Sequence, residues 1–263
     1  MKFLIVGDIV GTPGMEKLKN EYNRLIEKYG IDFTIVNGEN SAHGKGLRKK
    51  EYDFFMELGV DVITMGNHIY YRKEMAEEYI KYPNLLIPIN VTNLKANGST
   101  VIEKNNIKIA VISLIGKVDM GDMFDKNASS PFEAITKEIK KVKEQGAKYV
   151  FVDFHAEATA EKIAMGLYLK DEVTCLFGTH THVQTADEQI IDGKMAYITD
   201  VGMTGPKDSV IGLKKEIALK RFVEGAYAKY ECSENSAFLN AIVVETDENL
   251  GLPVKIERIN IYD

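Results

Sequence analysis

The sequence predicts an α/β fold in which strands and helices alternate along the chain. Apolar runs rich in Ile, Val and Phe recur between segments whose apolar residues are spaced by three and four. A strand followed by a helix and then by another strand is typical of a sheet covered by helices. No linker, repeat or low-complexity segment interrupts the 263 residues, so we expect a single domain over residues 1–263.

The first third of the chain has the clearest alternation. Leu18, Tyr22, Leu25 and Ile26 share one face of a predicted helix at 14–29. The predicted elements of this part are a strand at 2–6, the helix at 14–29, a strand at 32–36, a helix at 48–58, a strand at 60–65 and a helix at 72–81. This succession is a β-α-β-α layout.

The rest of the chain is less regular, but turn and capping residues mark its elements. Asn105-Asn106 predicts a hairpin that leads into a strand at 107–115. Pro131 in the first turn, Ser129 or Ser130 as N-cap and Gly146 as the stop predict a helix that ends near Gln145. The remaining predicted elements are a strand at 148–153, a helix at 158–170, a strand at 173–177, a hairpin across Asp192-Gly193, and strands at 237–246 and 253–261.

Composition limits the classes of partner. The net charge is −6, whereas sequence-independent binding to duplex nucleic acid needs a basic face. No stretch approaches the roughly 18–20 apolar residues of a membrane span, and no basic segment precedes an apolar one at the start. We therefore expect a cytoplasmic protein that begins near Met1, binds neither duplex nucleic acid nor membrane, and has no redox role for Cys175 or Cys232. A homo-oligomer stays an open alternative.

Polar residues cluster where the predicted strands end, and four of the chain's five histidines are among them. The motifs are Gly7-Asp8, Asn37-Gly38-Glu39-Asn40, Gly66-Asn67-His68, His155-Ala156-Glu157 and Gly178-Thr179-His180-Thr181-His182. Polar groups that end the strands of one α/β sheet lie along one edge, where such folds place their ligands. Acidic and imidazole ligands suit Mn, Fe and Zn, whereas oxygen ligands alone favour Mg or Ca. The motifs therefore predict a metal site.

Each motif alone has a plainer explanation. A Gly-Asp pair after a strand is most often a turn or a helix cap, and paired histidines can cap a buried polar network. His180 and His182 are the stronger signal, because residues two apart in an extended segment point to the same side and can reach adjacent metals. Taken together, the number of independent motifs favours the metal site.

In this order the motifs resemble those of the calcineurin-like metallophosphoesterases, from Lys2 to Thr204. Two positions depart from most of that superfamily: Val10 stands where a metal-binding histidine is usual, and Glu39 stands where the bridging residue is usually Asp. Both departures, with the segments 37–46 and 200–206, resemble the YmdB-like branch. The resemblance implies a four-layer α/β/β/α sandwich with mixed sheets. It also implies hydrolysis of a phosphodiester, with 2′,3′-cyclic nucleotides as a substrate class.

A centre of two divalent metal ions follows from the same resemblance, with Fe or Mn expected and Zn as a further candidate. One ion would be held by Asp8, Glu39, Asn40 and His182, and the other by Glu39, Asn67, His155 and His180. Asn40 would fill the position left by Val10 through its amide oxygen. A hydroxide that bridges the two ions would attack the phosphorus in line.

His68 is the expected general acid of this reaction. It follows Asn67 directly, and neighbouring residues in an extended turn point to different sides, so His68 can face the substrate instead of the metals. The alternative is that His68 hydrogen-bonds a metal ligand. Glu157 either orients a ligand or caps the helix near 158, and the cap is the preferred interpretation.

Three further residues are weaker substrate-binding candidates, namely His43, Lys45 and Thr204. Gly44 and Gly46 give the loop around His43 and Lys45 unusual backbone freedom near Glu39, which would allow contact with a phosphate. A solvated loop explains the same residues equally well.

Three other functions fit part of the sequence. A phosphomonoesterase would use the same site residues. A dinucleotide-binding oxidoreductase is suggested by Gly7, Gly11 and Gly14, but their spacing misses G-x-G-x-x-G and leaves four motifs unexplained. A non-catalytic, metal-dependent regulatory protein would keep the ligands without turnover.

Overall fold

Two β-sheets lie face to face in this computed structural model, which describes residues 1–121 and 126–262. Within these residues the strands are, in chain order, β1 (Lys2–Val6), β2 (Asp8–Ile9), β3 (Phe33–Asn37), β4 (Val62–Thr64), β5 (Leu85–Leu86), β6 (Ser99–Lys104), β7 (Ile107–Ile115), β8 (Tyr149–His155), β9 (Cys175–Thr179), β10 (Gln189–Ile191), β11 (Met195–Ile198), β12 (Met203–Pro206), β13 (Ala237–Thr246) and β14 (Pro253–Ile261). The α-helices of the same residues are α1 (Gly11–Tyr29), α2 (Lys49–Leu58), α3 (Lys73–Ala76), α4 (Pro131–Glu144), α5 (Thr159–Leu169) and α6 (Lys215–Phe222). Short 3-10 helices span Asn67–Tyr70 and Tyr79–Lys81.

Both sheets are mixed. The first has the order β2-β12-β13-β1-β3-β4-β5, with β14 also paired to β13, and the second has the order β10-β11-β9-β8-β7-β6. The strands β1, β3, β4 and β5 are parallel, as are β7, β8, β9 and β11. Antiparallel pairing joins β13 to β1 and β6 to β7. The predicted mixed sheets are therefore confirmed.

Alternating side chains along the strands divide the apolar core into layers. Phe3 of β1 faces the second sheet, and its ring centroid lies 4.4 Å from that of Phe151. Its neighbour Leu4 points the other way and packs in one cluster with Leu18 of α1. On the far side of the second sheet, residues of β7 and β8 pack against α4 and α5. The order helices, sheet, sheet, helices confirms the four-layer sandwich.

The predicted turns and caps are present at the expected residues. Lys104 pairs with Ile107 across Asn105-Asn106, whose φ angles of 54° and 61° are those of a two-residue hairpin turn. The second predicted hairpin joins β10 to β11. The N-cap of α4 is Ser130, whose side chain accepts a hydrogen bond from the backbone N–H of Glu133.

The continuous helix predicted at 72–81 is wrong. The chain forms α3 and then a separate 3-10 turn at Tyr79–Lys81. Tyr79 is fully buried, and its hydroxyl donates a hydrogen bond to the carbonyl oxygen of Ile69 at 2.8 Å. This core contact fixes the path of the segment and overrides its local helical preference.

Some short elements were not predicted. The strand β2 has two residues, and β12 has four, which is too short for a period to be read. The helix α6 buries only Ala218, so its sequence lacks the apolar stripe by which a helix is recognised.

No helix within residues 1–121 and 126–262 combines the length and the apolar character that crossing a bilayer requires. The single domain over residues 1–263 and the cytoplasmic location stay predictions.

Candidate metal centre

The polar motifs of both sheets meet at one edge of the sandwich. Asp8 follows β1, Glu39 and Asn40 follow β3, and Asn67 follows β4, all in the first sheet. His155 ends β8 in the second sheet, and the segment 180–182 follows β9. Strands that run parallel deliver their following residues to the same edge. Contact between the sheets is direct here, because Glu39 Oε1 lies 3.3 Å from His155 Nε2.

Glu39, Asn67, His155 and His180 form one group of ligand atoms. His155 Nε2, His180 Nδ1 and Asn67 Oδ1 lie within 3.1 Å of one another. One ligand atom each from Glu39, His155 and His180 all lie within 4.8 Å of one another. These atoms form a candidate site for one metal ion.

Asp8, Asn40 and His182 form a second group on the other side of Glu39. Asn40 Nδ2 lies 3.3 Å from Asp8 Oδ1, 3.2 Å from Glu39 Oε1 and 3.1 Å from His182 Nε2. Glu39 Oε1 is thus within 3.3 Å of an atom of each group. A carboxylate that bridges two ions needs this intermediate position.

The amide of Asn40 is turned the opposite way from the sequence prediction. Its nitrogen, not its oxygen, faces Asp8, Glu39 and His182, because Nδ2 donates to the two carboxylates. Its oxygen faces His68 Nδ1 at 2.5 Å. A half-turn of the amide exchanges the two atoms, so the position suits a ligand, whereas the orientation does not.

Each of the three histidines has its outer ring nitrogen bonded to an oxygen. The bonds run from His155 Nδ1 to Thr179 Oγ1 (2.8 Å), from His180 Nε2 to Glu157 Oε2 (3.0 Å) and from His182 Nδ1 to the carbonyl oxygen of Ile211 (2.9 Å). A ring nitrogen that donates carries the proton, so the inner nitrogen of a neutral ring is an acceptor. When both rings are neutral, as metal binding requires, the inner nitrogens of His155 and His180 converge with Asn67 Oδ1 as three acceptors. A cation satisfies such a set, and the donor chemistry therefore fits a metal.

Charge accumulates around Glu39. Burial alone would raise the pKa of Glu39, but His155 and His68 lower that pKa well below its ordinary range. Burial would lower the pKa of His155, yet the Glu39 carboxylate raises it to about 9. Burial, together with the charge on His155, lowers the pKa of His180 to about 3. Glu39 is therefore ionised, and a positive charge, carried by a proton or by a metal, is held against it.

Two of the sequence arguments about histidine geometry are wrong, although the residues do reach the site. His180 and His182 lie in a bend with φ angles of 106° and 64°, not in an extended strand, so they contact different groups rather than one side. His68 lies in a 3-10 helix, and its Nδ1 contacts Asn40 Oδ1 at 2.5 Å and Glu39 Oε1 at 3.2 Å. The ring of His68 thus touches two expected ligands while it also lines the adjacent cleft.

Glu157 contacts the ring of His180, a candidate ligand, and does not cap a helix. The N-cap of α5 is Ala158, without a side-chain cap, and the Glu157 carboxylate instead accepts from His180 Nε2. The cap interpretation is therefore wrong, because the Glu157 carboxylate hydrogen-bonds to the imidazole of His180 and α5 has no side-chain cap.

The three weaker candidates differ in position. His43 is exposed, and its backbone is left-handed with a φ of 56°. Lys45 lines the cleft, and its Nζ lies 4.7 Å from the ring centroid of Tyr71. Thr204 is fully buried, and its hydroxyl donates to the carbonyl oxygen of Asn240 at 3.2 Å. Since β12 holds it inside the sheet, Thr204 has no exposed surface for a substrate, and that assignment is wrong.

A buried carboxylate behind the ligands escaped the sequence prediction. Asp153 accepts hydrogen bonds from Thr179 Oγ1 (2.6 Å), Asn37 Nδ2 (3.0 Å) and Thr64 Oγ1 (2.5 Å). Burial raises the pKa of Asp153 to about 6. Thr179 links this carboxylate to His155 and so fixes the ring. An acidic residue inside an otherwise apolar strand was the available signal.

A buried ion pair supports the segment that carries His180 and His182. Lys162 of α5 and Asp200 are both fully buried, with Nζ 2.7 Å from Oδ2. Lys162 also donates to the carbonyl oxygen of Thr179 at 2.8 Å, and Asp200 Oδ2 accepts from the backbone N–H of Thr181 at 3.0 Å. The pair therefore holds the backbone on both sides of His180.

Lys162→Met should destabilise the protein by about 3–5 kcal/mol, because it leaves the Asp200 carboxylate buried without its cation. Urea unfolding measures this change. The double variant Lys162→Met with Asp200→Asn should recover part of the loss, since no unpaired charge is left. Lys170→Met, which breaks an exposed pair with Asp192, is the matched control and should change the free energy of unfolding far less, because solvent screens an exposed pair. Equal costs for the two single variants would contradict the role of the pair.

Val10 is not part of the ligand set. It is fully buried and packs in an apolar cluster with Met203 and Phe238. A Cβ atom built on Gly205 would lie 2.8 Å from Val10 Cβ, and one built on Gly212 would lie 2.7 Å from Val10 Cγ1. Two neighbouring segments therefore close tightly over the position where the superfamily usually has a histidine.

A cleft of about 420 Å³ opens onto both ligand groups. Its floor is formed by site residues, namely Glu39, Asn40, Asn67, His68, His180 and His182. Its volume is in the range of sites that bind small molecules.

Comparison with known proteins extends over nearly the whole chain. A family model described as YmdB-like protein matches residues 4–259. The chain is 41% identical over 264 residues to the 2′,3′-cyclic-nucleotide 2′-phosphodiesterase of Bacillus subtilis strain 168, covering 100% of this chain and 98% of that protein. The crystal structure of a novel phosphatase from Mycoplasma pneumoniae matches with a TM-score of 0.92 and 39% identity, over 99% of this chain and 93% of that one. The crystal structure of a hypothetical protein from Thermus thermophilus matches with a TM-score of 0.89 and 31% identity, over 99% of both chains.

Proposed function

Because the chain belongs to the YmdB-like family, we propose that it is a metal-dependent phosphodiesterase that hydrolyses 2′,3′-cyclic nucleotides. It is a hydrolase of phosphoester bonds, as the names of its relatives indicate. The observation that carries the finer proposal is the position of Glu39 Oε1, which lies within 3.3 Å of an atom in each of two groups of ligand atoms. Two such groups at the floor of one cleft suit a phosphodiester held at a dinuclear centre.

We assign one ion to Asp8, Glu39, Asn40 and His182, and the other to Glu39, Asn67, His155 and His180. Carboxylate, amide and imidazole donors support Fe or Mn, with Zn as the third candidate. Two divalent ions would supply Lewis acidity and an activated water at neutral pH. The protein supplies their orientation through Thr179, Glu157 and the carbonyl oxygen of Ile211, since each fixes one histidine ring.

His68 is the proposed general acid. Its ring lines the cleft, and its backbone N–H donates to Glu39 Oε2 at 3.0 Å, which anchors the residue beside the metal groups. Because Nδ1 is engaged with Asn40 Oδ1, we assign proton transfer to Nε2. A ribose oxygen is a poor leaving group, so protonation there is worth about 10²–10⁴ in rate.

A second candidate is a phosphomonoesterase that uses the same residues. The name of the M. pneumoniae protein, a phosphatase, supports it. The ligand geometry is compatible with both ester types, since either presents phosphoryl oxygens to the two ions.

Activity against a panel of phosphate esters tests the proposal. The metal-free protein would be reconstituted separately with Mn, Fe(II) and Zn, and assayed with cyclic diesters, linear diesters and monoesters. We expect 2′,3′-cyclic nucleotides to have the highest kcat/KM, with Fe(II) or Mn as the most effective metal. Faster hydrolysis of monoesters would favour the phosphatase, and inactivity with every metal would favour a regulatory protein.

A further inference from the structure

The cleft has an apolar wall that metal binding does not explain. The wall is formed by Val210, Ile211, Leu213, Phe222 and Tyr230. Phe222 is 82% exposed and Ile211 is 52% exposed. Large apolar side chains that stay exposed beside a polar site are typical of surfaces that bind a ligand.

This wall is attached directly to the metal centre. The carbonyl oxygen of Ile211 accepts the hydrogen bond from His182 Nδ1 at 2.9 Å. Ile211 has a φ of 48°, a left-handed conformation that is a true outlier for a β-branched residue and that is common at functional sites. The backbone of Ile211 therefore contacts an expected metal ligand, and Ile211 lines the same cleft as the ligand groups. A substrate whose phosphate lies at the centre would occupy this cleft.

Residues next to the wall make hydrogen bonds and packing contacts, whereas the ring of Phe222 is open to the cleft. Phe222 ends α6, and the preceding Arg221 donates from Nε to the carbonyl oxygen of Ala228 at 3.0 Å. Tyr230 packs against Gly44, and Lys45 Nζ lies 5.0 Å from its ring centroid. These contacts anchor the neighbours of Phe222, and its exposed ring lies at the mouth of the site, where a base can stack on it.

We propose that the apolar wall is a nucleobase subsite in which the ring of Phe222 stacks on the base of the substrate. This proposal rests on the proposed function. The metal centre would bind the phosphate of the substrate, and the apolar wall would bind its base. Bases of every type have a π face, whereas Val210, Ile211 and Phe222 offer no side-chain hydrogen bonds to base edges. The contact with Phe222 therefore recognises the face of a base and is available to adenine, guanine, cytosine and uracil alike.

Phe222→Ala should lower kcat/KM for 2′,3′-cyclic AMP roughly 5- to 150-fold, the range expected for one lost base–aromatic contact. The same variant should hydrolyse glycerol 1,2-cyclic phosphate, a five-membered cyclic diester without a base, at the wild-type rate. Phe222→Tyr should keep activity on both substrates, because it keeps the ring. Leu219→Ala, at an exposed residue one turn earlier in α6, is the matched control and should change neither.

Equilibrium dialysis of 3′-AMP and of ribose 5-phosphate against the metal-loaded variants separates this subsite from the reaction. The subsite predicts weaker binding of 3′-AMP to Phe222→Ala and unchanged binding of ribose 5-phosphate. If the wild type hydrolysed no diester, the proposed function would fail, but this difference in binding would still support the subsite. Equal losses on both diesters, or 3′-AMP binding that Phe222→Ala leaves intact, would overturn it.

Discussion

Glu39→Ala should strip the protein of most of both metals and reduce hydrolysis to background. The reason is that Glu39 Oε1 contacts atoms of both ligand groups, so its loss opens both sites at once. Wild-type protein reconstituted with Mn should carry about two ions per chain, and the variant should carry close to none. Because the variant lacks both metal ions, its kcat/KM should fall by about 10³-fold or more below that of the wild type.

Elemental analysis after gel filtration measures the metal content, and circular dichroism verifies the fold. Glu51→Ala is a matched control, because Glu51 of α2 is also buried but pairs with Arg48, the N-cap residue of that helix, away from the ligand groups. It should keep both ions. A wild type that saturates at one ion, or a Glu39→Ala protein that retains two, would disprove the dinuclear assignment.

His68→Ala should lose about 10²–10⁴ in kcat on a 2′,3′-cyclic nucleotide if His68 gives its proton to the ribose oxygen. An activated aryl phosphodiester has a better leaving group that needs less protonation. The variant should therefore lose far less on the aryl substrate.

Metal content must be measured on the same sample, because His68 also touches Asn40 and Glu39. Normal metal content with unequal losses on the two substrates supports acid catalysis. Equal losses of kcat on the two substrates, with both metals bound, would show that His68 positions the phosphate. Loss of one metal would show that His68 holds Asn40.

The ligand motifs could be predicted from sequence because of where parallel strands end. Glu39 and Asn67 follow parallel strands of the first sheet, so its topology brings these two residues to one edge. His155 ends a strand of the second sheet and reaches Glu39 because the two sheets pack face to face, which the sequence argument, made for one sheet, did not predict. Local spacing was less informative, since the bend at His180 and the 3-10 turn at His68 replaced the expected extended backbone.

The partners of the ligands could not be predicted in the same way. Ile211 reaches His182 from a distant loop, and Lys162 reaches Asp200 from a helix. Such contacts depend on tertiary packing between segments that carry no shared sequence pattern. The apolar wall of the cleft escaped notice for a related reason, because Phe222 lies on a helix that buries only Ala218.

The tight packing around Val10 makes Gly205 and Gly212 sensitive positions. A Cβ atom added at Gly205 would lie 2.8 Å from Val10 Cβ, and one added at Gly212 would lie 2.7 Å from Val10 Cγ1. Gly205 belongs to β12, and Gly212 follows Ile211, whose carbonyl oxygen accepts from His182 Nδ1. A larger residue at either glycine would have to displace Val10, β12 or this loop, so a change in the apolar packing would also shift the imidazole of His182.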